Sequence, residues 1–325
     1  MGMVKTRDHG GNLAEARATY GDGDWIDLST GINRRPYPVP PIPPEAWTAL
    51  PTSDAYEALT AAAARTYATQ PASTLPLAGA QAAIQLYPLL RTPGLARVVT
   101  PTYNEHAAAL KSQGWTVHEV PTLEDLEGAK IGVVVNPNNP DGTRYSVEEL
   151  REAAKSVSLL VVDESFADPH PDLSLAAHAS DKILVLRSFG KFYGLAGVRL
   201  GFALAGPDTL ATLREMAGPW SVSGPALSIG AAALNDTEWQ RETTDRLTND
   251  AARLDALAQR RGWSLVGGTA LFRTYATPDA TQAQHHLATH KIWSRRFPYS
   301  KTWLRLGLPD GADWARVEAA MAPEI

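Results

Sequence analysis

Short apolar runs alternate with helical patterns along the first two thirds of the chain. The apolar runs, rich in β-branched residues, lie at 74–79, 96–101, 131–137, 158–165 and 182–189. The intervening segments place apolar residues at helical spacing, at 80–90, 104–113 and 146–157. Strands that are apolar on both faces and separated by amphipathic helices are typical of a buried parallel sheet. The pattern predicts a doubly wound α/β domain, which binds its ligands at the carboxyl ends of the strands.

The pattern changes after Gly218. A long helical stretch at about 225–261 leads into two β-rich segments, 263–277 and 292–309, which indicate a smaller α+β unit. The proline-dense residues 35–51 predict an extended connector, because proline fixes φ and has no N–H to donate. We expect an N-terminal segment at 1–44, a large domain at 45–222 and a small C-terminal domain at 223–325.

Composition and charge narrow the classes of partner. The 325 residues are 44% hydrophobic and 20% charged, as in ordinary globular proteins, and the net charge of -5 favours neither a nucleic-acid nor a membrane partner. The absence of cysteine excludes disulfides and thiolate-bound metals, and no metal site is predicted. No apolar stretch is long enough to cross a bilayer and the N-terminus lacks the apolar core of a signal peptide, so we expect a cytoplasmic protein.

Polar or glycine residues follow five of the predicted strands. They are Gly79 and Gln81, Tyr103, Asn136 and Asn139, Asp163 and Glu164, and Ser188 and Lys191. One polar residue at a strand end is most often structural, and Asn136 fits a turn former. Five such strand ends in succession predict a binding site along one edge of the sheet.

Three motifs in this region resemble the fold-type I pyridoxal-phosphate enzymes, the aspartate aminotransferase superfamily. They are NPNNPDG at 136–142, VVDESF at 161–166 and SFGKFYGLAGVRLG at 188–201, in the order and at the separation of that family. The resemblance implies pyridoxal 5'-phosphate as the cofactor and a homodimer. It also implies a large domain with a mostly parallel seven-stranded sheet flanked by helices, followed by a smaller α+β C-terminal domain.

The resemblance also implies a role for each cofactor-binding residue. Lys191 would bind the cofactor aldehyde covalently, since burial beside cations favours the unprotonated, nucleophilic amine. Asp163 would pair with the pyridine nitrogen and Asn139 with the ring hydroxyl, while Tyr103 would stack on the ring. The residues expected at the cofactor phosphate are Gly79, Ala80, Gln81, Ser188 and Arg199.

Three positions in the same region leave alternatives open. Phe166 stands where many aminotransferases of the superfamily have a tyrosine, so Asn139 would act on the ring oxygen with fewer partners. Tyr56 matches a tyrosine that reaches the cofactor phosphate of a neighbouring subunit, although Leu50 departs from the usual sequence nearby. Arg187 fits a salt-bridged residue as well as a functional one.

Three further motifs resemble one branch of the superfamily. HGGN at 9–12, DLSTGIN at 27–33 and GPWSVSGPA at 218–226 are similar to the L-threonine-O-3-phosphate decarboxylases of cobalamin biosynthesis, which are close to the histidinol-phosphate aminotransferases. The imidazole and glycine amides of HGGN can approach an anion closely, so the resemblance implies that this segment binds the substrate phosphate. The substrate is then a small phosphorylated amino acid.

The resemblance implies a substrate site with six residues. Arg305 and Asn33 would bind the substrate carboxylate, because a guanidinium grips a carboxylate through two hydrogen bonds. Arg295 would be directed to the phosphate, although the adjacent Arg296 is an alternative. The complete set is His9, Gly10, Gly11, Asn33, Arg295 and Arg305.

Three functions fit these residues. The first is decarboxylation of L-threonine O-3-phosphate to (R)-1-amino-2-propanol O-2-phosphate. The second is transamination of histidinol phosphate or a related amino acid, which the same residues perform when Cα–H, and not the carboxylate, is held perpendicular to the ring. The third is a non-catalytic binding protein, which the intact Lys191 and Asp163 disfavour. Threonine phosphate and serine phosphate differ by one methyl group, and the sequence leaves that choice open.

Overall fold

The computed structural model describes residues 9–322 and divides into two compact units. The larger unit consists of Pro36–Asn139 and Thr143–Thr243. The smaller unit contains Pro140–Gly142 and the described residues of Met1–Arg35 and Thr244–Ile325. In the larger unit the helix Gly224–Asn235 packs against the helix Ser53–Thr66, and the expected domain boundary at 222 stays a prediction.

The α-helices include those predicted at 80–90, 104–113 and 146–157, together with others that the pattern did not predict. They are α1 Leu13–Tyr20, α2 Glu45–Thr48, α3 Ser53–Thr66, α4 Ala80–Leu86, α5 Glu105–Ser112, α6 Val147–Lys155, α7 Phe189–Phe192, α8 Pro207–Ala217, α9 Gly224–Asn235, α10 Thr237–Arg260, α11 Ala280–Thr289 and α12 Asp313–Ala320. Between residues 9 and 322, no helix combines the length and apolar character needed to cross a membrane. Helix α6 begins with a capping box, since Ser146 and Glu149 each accept a hydrogen bond from the other's backbone N–H.

Two helical expectations were wrong in detail. The stretch at 225–261 is two helices, because Asp236 interrupts it and accepts a hydrogen bond from the N–H of Trp239 in the first turn of α10. The connector at 35–51 contains the single turn α2, which follows Pro44. A proline is compatible with the start of a helix, where its missing N–H has no intrahelical acceptor.

The strands form three sheets. They are β1 Ile26–Asp27, β2 Thr74–Leu77, β3 Leu95–Val99, β4 Thr116–Val120, β5 Ile131–Val135, β6 Leu159–Asp163, β7 Ile183–Ser188, β8 Gly201–Leu204, β9 Ser264–Thr269, β10 Phe272–Ala276, β11 Ile292–Trp293, β12 Arg295–Phe297 and β13 Ser300–Gly307. The larger unit contains seven of them in the order β2-β8-β7-β6-β5-β3-β4. Only β8 runs antiparallel to its neighbours in that sheet, which confirms the predicted seven-stranded, mostly parallel sheet.

Helices α4, α5 and α8 pack against the seven-stranded sheet. Buried side chains of these helices, such as Ile84, Leu110 and Leu213, form one apolar core with alternate residues of the strands. Burying a side chain of this size contributes about 1.5–3 kcal/mol, so the core fixes the positions of the strand ends. Strands β5 and β6 are buried along their whole length, as expected for runs that are apolar on both faces.

The smaller unit contains an antiparallel sheet in the order β12-β13-β10-β9 and a parallel pair, β1 and β11. An apolar cluster beside the pair consists of Ala16, Trp25, Ala288 and Trp293. This unit therefore has the α+β character predicted for the C-terminal region, and residues from the N-terminal segment contribute a strand to it.

Candidate active site

One cavity of the larger unit brings the strand-end residues together. It encloses about 140 Å³. Because β5, β6 and β7 are adjacent and parallel, their carboxyl ends meet at the same edge. All nine residues assigned to the cofactor line this cavity: Gly79, Ala80, Gln81, Tyr103, Asn139, Asp163, Ser188, Lys191 and Arg199. Their individual roles toward a cofactor stay predictions.

Asp163 is the last residue of β6 and is only 3% exposed. Its Oδ2 lies 2.9 Å from His106 Nε2, and its Oδ1 accepts hydrogen bonds from the backbone N–H and the hydroxyl of Ser165. Burial acts to raise the pKa of the Asp163 carboxyl, but the hydrogen bonds from His106 and Ser165 outweigh it and hold that pKa below its ordinary value. The cavity therefore contains a fixed negative charge.

His106, which supports this carboxylate, was missed at the sequence level. It lies in α5 and is fully buried, and its Nδ1 is 3.3 Å from Tyr87 Oη. An ionised Asp163 can only accept, so His106 Nε2 is the donor of that contact. The available signal was its position three residues after Tyr103.

The aromatic wall of the cavity is also held by hydrogen bonds. Tyr103 Oη donates to Gln81 Oε1 at 3.3 Å, and Gln81 Nε2 donates to Glu105 Oε2 at 3.2 Å. Glu105 is buried and was likewise missed. Gln81 therefore orients Tyr103. This role is separate from the one expected for Gln81 at the cofactor phosphate, which stays a prediction.

Arg199 has a left-handed backbone, with φ of 55°, and its Nη1 donates to the carbonyl of Ala196. A Cβ at Gly79, whose φ is 83°, would lie 2.8 Å from Arg199 Nη2. A left-handed non-glycine residue costs about 1–3 kcal/mol and is found mostly at functional sites. The guanidinium of the strained Arg199 thus lies beside Gly79, where a larger residue would crowd it.

Lys191 lies in the short helix α7, directly after β7. Its Nζ is 5.6 Å from the ring centroid of Phe166, which is buried in the cavity wall. A Cβ at Gly190 would lie 2.7 Å from the Cα of Ala196, so glycine lets α7 approach the loop that carries Arg199. The sequence thus places an amine and a guanidinium in one cavity.

The structure decides between the alternatives for Arg187. Its Nη1 and Nη2 donate to Glu164 Oε2 at 2.8 Å and Asp168 Oδ1 at 2.9 Å, and its guanidinium lies 4.3 Å from the ring centroid of Tyr67. Burial acts to lower the pKa of Arg187, but the two carboxylates outweigh it and raise that pKa. Arg187 is a buried salt-bridged residue and does not line the cavity.

Tyr56 is hydrogen-bonded within its own chain. Its Oη accepts from the backbone N–H of Val222 at 3.0 Å and lies 3.3 Å from the carbonyl of the same residue. The role of Tyr56 toward a neighbouring subunit stays a prediction.

Asn136, the expected turn former, fixes the loop after β5. It accepts from the N–H of Tyr145 and donates to two carbonyls.

In the smaller unit, Arg295 and Arg305 are directly opposite each other on β12 and β13. Their guanidinium carbons lie 5.7 and 5.9 Å from the same ring, that of Phe297. Burial, together with the charge of Arg295, lowers the pKa of Arg305 to about 10. Because like charges directly across a strand pair are unfavourable, the arrangement indicates a site for an anion.

Arg296 is on the other face of β12. It is exposed, and its guanidinium donates to Gln284 Oε1 and Thr281 Oγ1. Arg295, and not Arg296, therefore shares a face with Arg305. This outcome favours the expected assignment of Arg295.

The remaining substrate-site residues of the smaller unit are held by contacts within that unit. The N–H of Gly11 donates to Ser29 Oγ at 2.7 Å, and the expected role of Gly11 toward a substrate anion stays a prediction. Asn33 Oδ1 accepts from Arg246 Nη2 and from the N–H of Arg35, so its amide is held in one orientation. His9 and Gly10 are exposed at the start of the described residues, and their roles toward a substrate stay predictions.

Comparison with known proteins gives consistent matches. A family model described as aminotransferase class I and II matches residues 44–321. A threonine-phosphate decarboxylase of Pseudomonas aeruginosa is 43% identical, and one of a Sinorhizobium species is 41% identical, each over 97% of both chains. The solved structure of a histidinol-phosphate aminotransferase from Sinorhizobium meliloti, in complex with pyridoxal-5'-phosphate, matches with a TM-score of 0.83 at 21% identity, over 98% of this chain and 95% of the other.

Proposed function

The chain belongs to the aminotransferase class I and II family, and we propose that it is a pyridoxal-phosphate-dependent decarboxylase of L-threonine O-3-phosphate. Two relatives that match over nearly the full length carry the name of this activity. The reaction breaks the bond between Cα and the carboxylate, releases carbon dioxide and adds a proton to Cα. The product is (R)-1-amino-2-propanol O-2-phosphate.

The cavity residues fit the proposed cofactor. Lys191 supplies an amine, Asp163 an ionised carboxylate for a pyridine nitrogen, and Tyr103 an aromatic face for a ring. Arg199 supplies a positive charge beside the glycine turn at Gly79, where a Cβ would crowd the guanidinium. Each chemical group of pyridoxal phosphate thus has a complementary group within one cavity.

The protein residues perform the binding and proton-transfer parts of the reaction. When bound, pyridoxal phosphate supplies an aldehyde that captures an amine and a ring that accepts the electron pair left on Cα. Asp163 favours a protonated ring nitrogen, because it stays ionised through its hydrogen bonds with His106 and Ser165. Lys191 Nζ delivers a proton to Cα after carbon dioxide leaves.

The observation that carries the substrate assignment is the opposed pair of Arg295 and Arg305. L-Threonine O-3-phosphate has two anionic groups, a carboxylate and a phosphate, and can neutralise both guanidinium groups. Histidinol phosphate has only its phosphate. The pair therefore favours an amino-acid phosphate over histidinol phosphate as the substrate.

The direct test is incubation of the protein with pyridoxal phosphate and L-threonine O-3-phosphate without a keto acid. We expect carbon dioxide and 1-amino-2-propanol phosphate in equal amounts, detected by trapped label and mass spectrometry, and no product from Lys191→Ala. Product formation that strictly requires a keto acid would instead establish an aminotransferase.

A pair of neighbouring variants tests the arginine assignment. Arg305→Lys should raise KM about 10–100-fold, because lysine keeps the charge but loses the two-pronged geometry. Arg296→Lys is the matched control and should leave KM unchanged, since its side chain binds Gln284 and Thr281 on the opposite face. Equal effects of the two changes would contradict the assignment.

The homodimer and the cytoplasmic location stay predictions. Trp47 and Leu50 of the larger unit are 66% and 65% exposed, and large apolar side chains this accessible support a self-association surface. Light scattering on the purified protein should give twice the chain mass of 35.0 kDa. A concentration-independent single-chain mass would contradict the homodimer.

A further inference from the structure

The loop of residues 9–12, here the N-terminal loop, is held by Ser29. The N–H of Gly11 donates to Ser29 Oγ at 2.7 Å. A Cβ at Gly10 would lie 2.4 Å from the carbonyl oxygen of Ser29, so the loop can pack this closely only with glycine at that position. Docking onto Ser29 therefore explains the glycine at position 10, and the left-handed backbone of Gly11, with φ of 85°, explains the second glycine.

Ser29 is itself fixed by Asp27. The N–H and hydroxyl of Ser29 both donate to Asp27 Oδ1, at 2.9 and 2.6 Å. The single hydroxyl proton is directed at Asp27, which leaves the oxygen lone pairs to accept the Gly11 N–H. Asp27 belongs to β1, whose partner in register is Trp293 of β11. Ser29 is 1% exposed, so this arrangement is shielded from competing water.

The backbone of Ser29 also holds the arginine expected at the substrate carboxylate. Arg305 Nη2 donates to the carbonyl oxygen of Ser29 at 2.7 Å. A neutral carbonyl orients the buried guanidinium without adding a negative charge to it. Ser29 thus contacts the N-terminal loop through its side chain and Arg305 through its main chain.

We propose that Ser29 is a positioning residue that sets the spacing between the N-terminal loop and Arg305 for a substrate with two anionic groups. The inference rests on the proposed function, because that function makes the loop and Arg305 substrate-binding groups. Ser29 acts through these groups and does not touch the reacting atoms. Its loss should therefore weaken substrate binding and leave the bond-breaking step intact.

Ser29→Ala removes the acceptor for Gly11 and keeps the carbonyl that holds Arg305. We expect KM for L-threonine O-3-phosphate to rise about tenfold, with kcat within about twofold of the parent and an unchanged visible spectrum of the bound cofactor. The matched control is Ser294→Ala. Ser294 is equally buried in the same unit, and its hydroxyl makes no hydrogen bond among the described residues, so this variant should behave as the parent.

A second measurement does not depend on turnover. Hydrogen exchange of the Gly11 amide, followed by mass spectrometry of the holoenzyme, should become at least about tenfold faster in Ser29→Ala and stay unchanged in Ser294→Ala. If the parent protein releases no carbon dioxide while the exchange result holds, the proposed function fails and the docking of the loop stands. Faster exchange with an unchanged KM, or unchanged exchange, would overturn the positioning role.

Discussion

A buried carboxylate can stay ionised when enough neighbours donate to it, and Asp163 meets that condition. Burial alone would favour its neutral form, but His106 and Ser165 reverse the balance. Because the pKa is lowered in the folded protein, the stability from these contacts is present above the ordinary carboxyl pKa. It is lost as the pH falls through the lowered value.

Replacing His106 should therefore move the acidic limit of activity. In His106→Phe the buried Asp163 keeps its desolvation but loses one hydrogen bond, so its pKa should rise. The acidic limb of the kcat/KM profile should shift to higher pH, which rate measurements across the acidic range will detect. Tyr87→Phe, which removes only the 3.3 Å contact to His106, should shift the limb less. An acidic limb that coincides with that of the parent would show that His106 does not control the charge.

At the residue scale, the sequence predicted the residues that sit in recognisable places. Lys191, Asp163 and Asn139 follow apolar strands within family motifs, so both position and pattern identified them. His106 lies in none of the motifs, and Ser29 lies within DLSTGIN at 27–33, which does not reveal what Ser29 contacts. Their importance comes from partners 57 and 18 positions away, Asp163 and Gly11, and only the folded chain shows these pairs.

At the element scale, β7 combines an apolar core strand with a buried charge. Arg187 interrupts the apolar run. Its charge is accommodated because Glu164, just after β6, and Asp168 both form salt bridges with its guanidinium. The three charges tie the end of β7 to the loop after β6. Asp163 directly precedes this loop and Ser188 is the last residue of β7, so the network supports the shape of the cavity from outside it.

Arg187→Met should lower the free energy of unfolding by about 3–5 kcal/mol, because it leaves two buried carboxylates without their cation. Chemical denaturation followed by circular dichroism measures the change. Arg151→Met, at an exposed pair with Glu148, is the matched control and should change the value by less than about 1 kcal/mol. Similar losses in the two variants would contradict the network's role.

Strand β8 shows why some elements escaped prediction. It is only Gly201–Leu204, follows a glycine-rich loop, and is separated from β7 only by the single helical turn α7 and a three-residue 3₁₀ turn. The βαβ pattern that identified the parallel strands was therefore absent, and pairing with β2 and β7 makes it a strand. Edge strand β4 was missed because its sequence TVHEV is half polar, which suits a partly exposed position.

At the scale of the whole molecule, the chain forms two units whose sheets differ in kind. The apolar runs predicted the parallel sheet, and the β-rich C-terminal segments predicted an α+β unit, whose sheet is antiparallel. The domain boundaries depend on helix packing, which periodicity does not reveal, and the expected bounds stay predictions.

Cofactor binding should stabilise the whole chain. A ligand that binds only the folded state adds about 2.7 kcal/mol at a concentration one hundred times its dissociation constant. Pyridoxal phosphate should therefore raise the melting temperature, measured by calorimetry, in proportion to the logarithm of its concentration. In Lys191→Ala the rise in melting temperature should be smaller, because only non-covalent contacts then hold the cofactor. A melting temperature that does not respond to pyridoxal phosphate would contradict the cofactor assignment.

The opposed guanidinium groups of Arg295 and Arg305 have a consequence for the end of the catalytic cycle. In the proposed reaction the substrate arrives with two anions and departs with one, because carbon dioxide leaves as a neutral gas. The product therefore has one anionic group fewer than the substrate to pair with these guanidinium groups, and we expect it to bind more weakly. Loss of the carboxylate during the reaction thus favours product release.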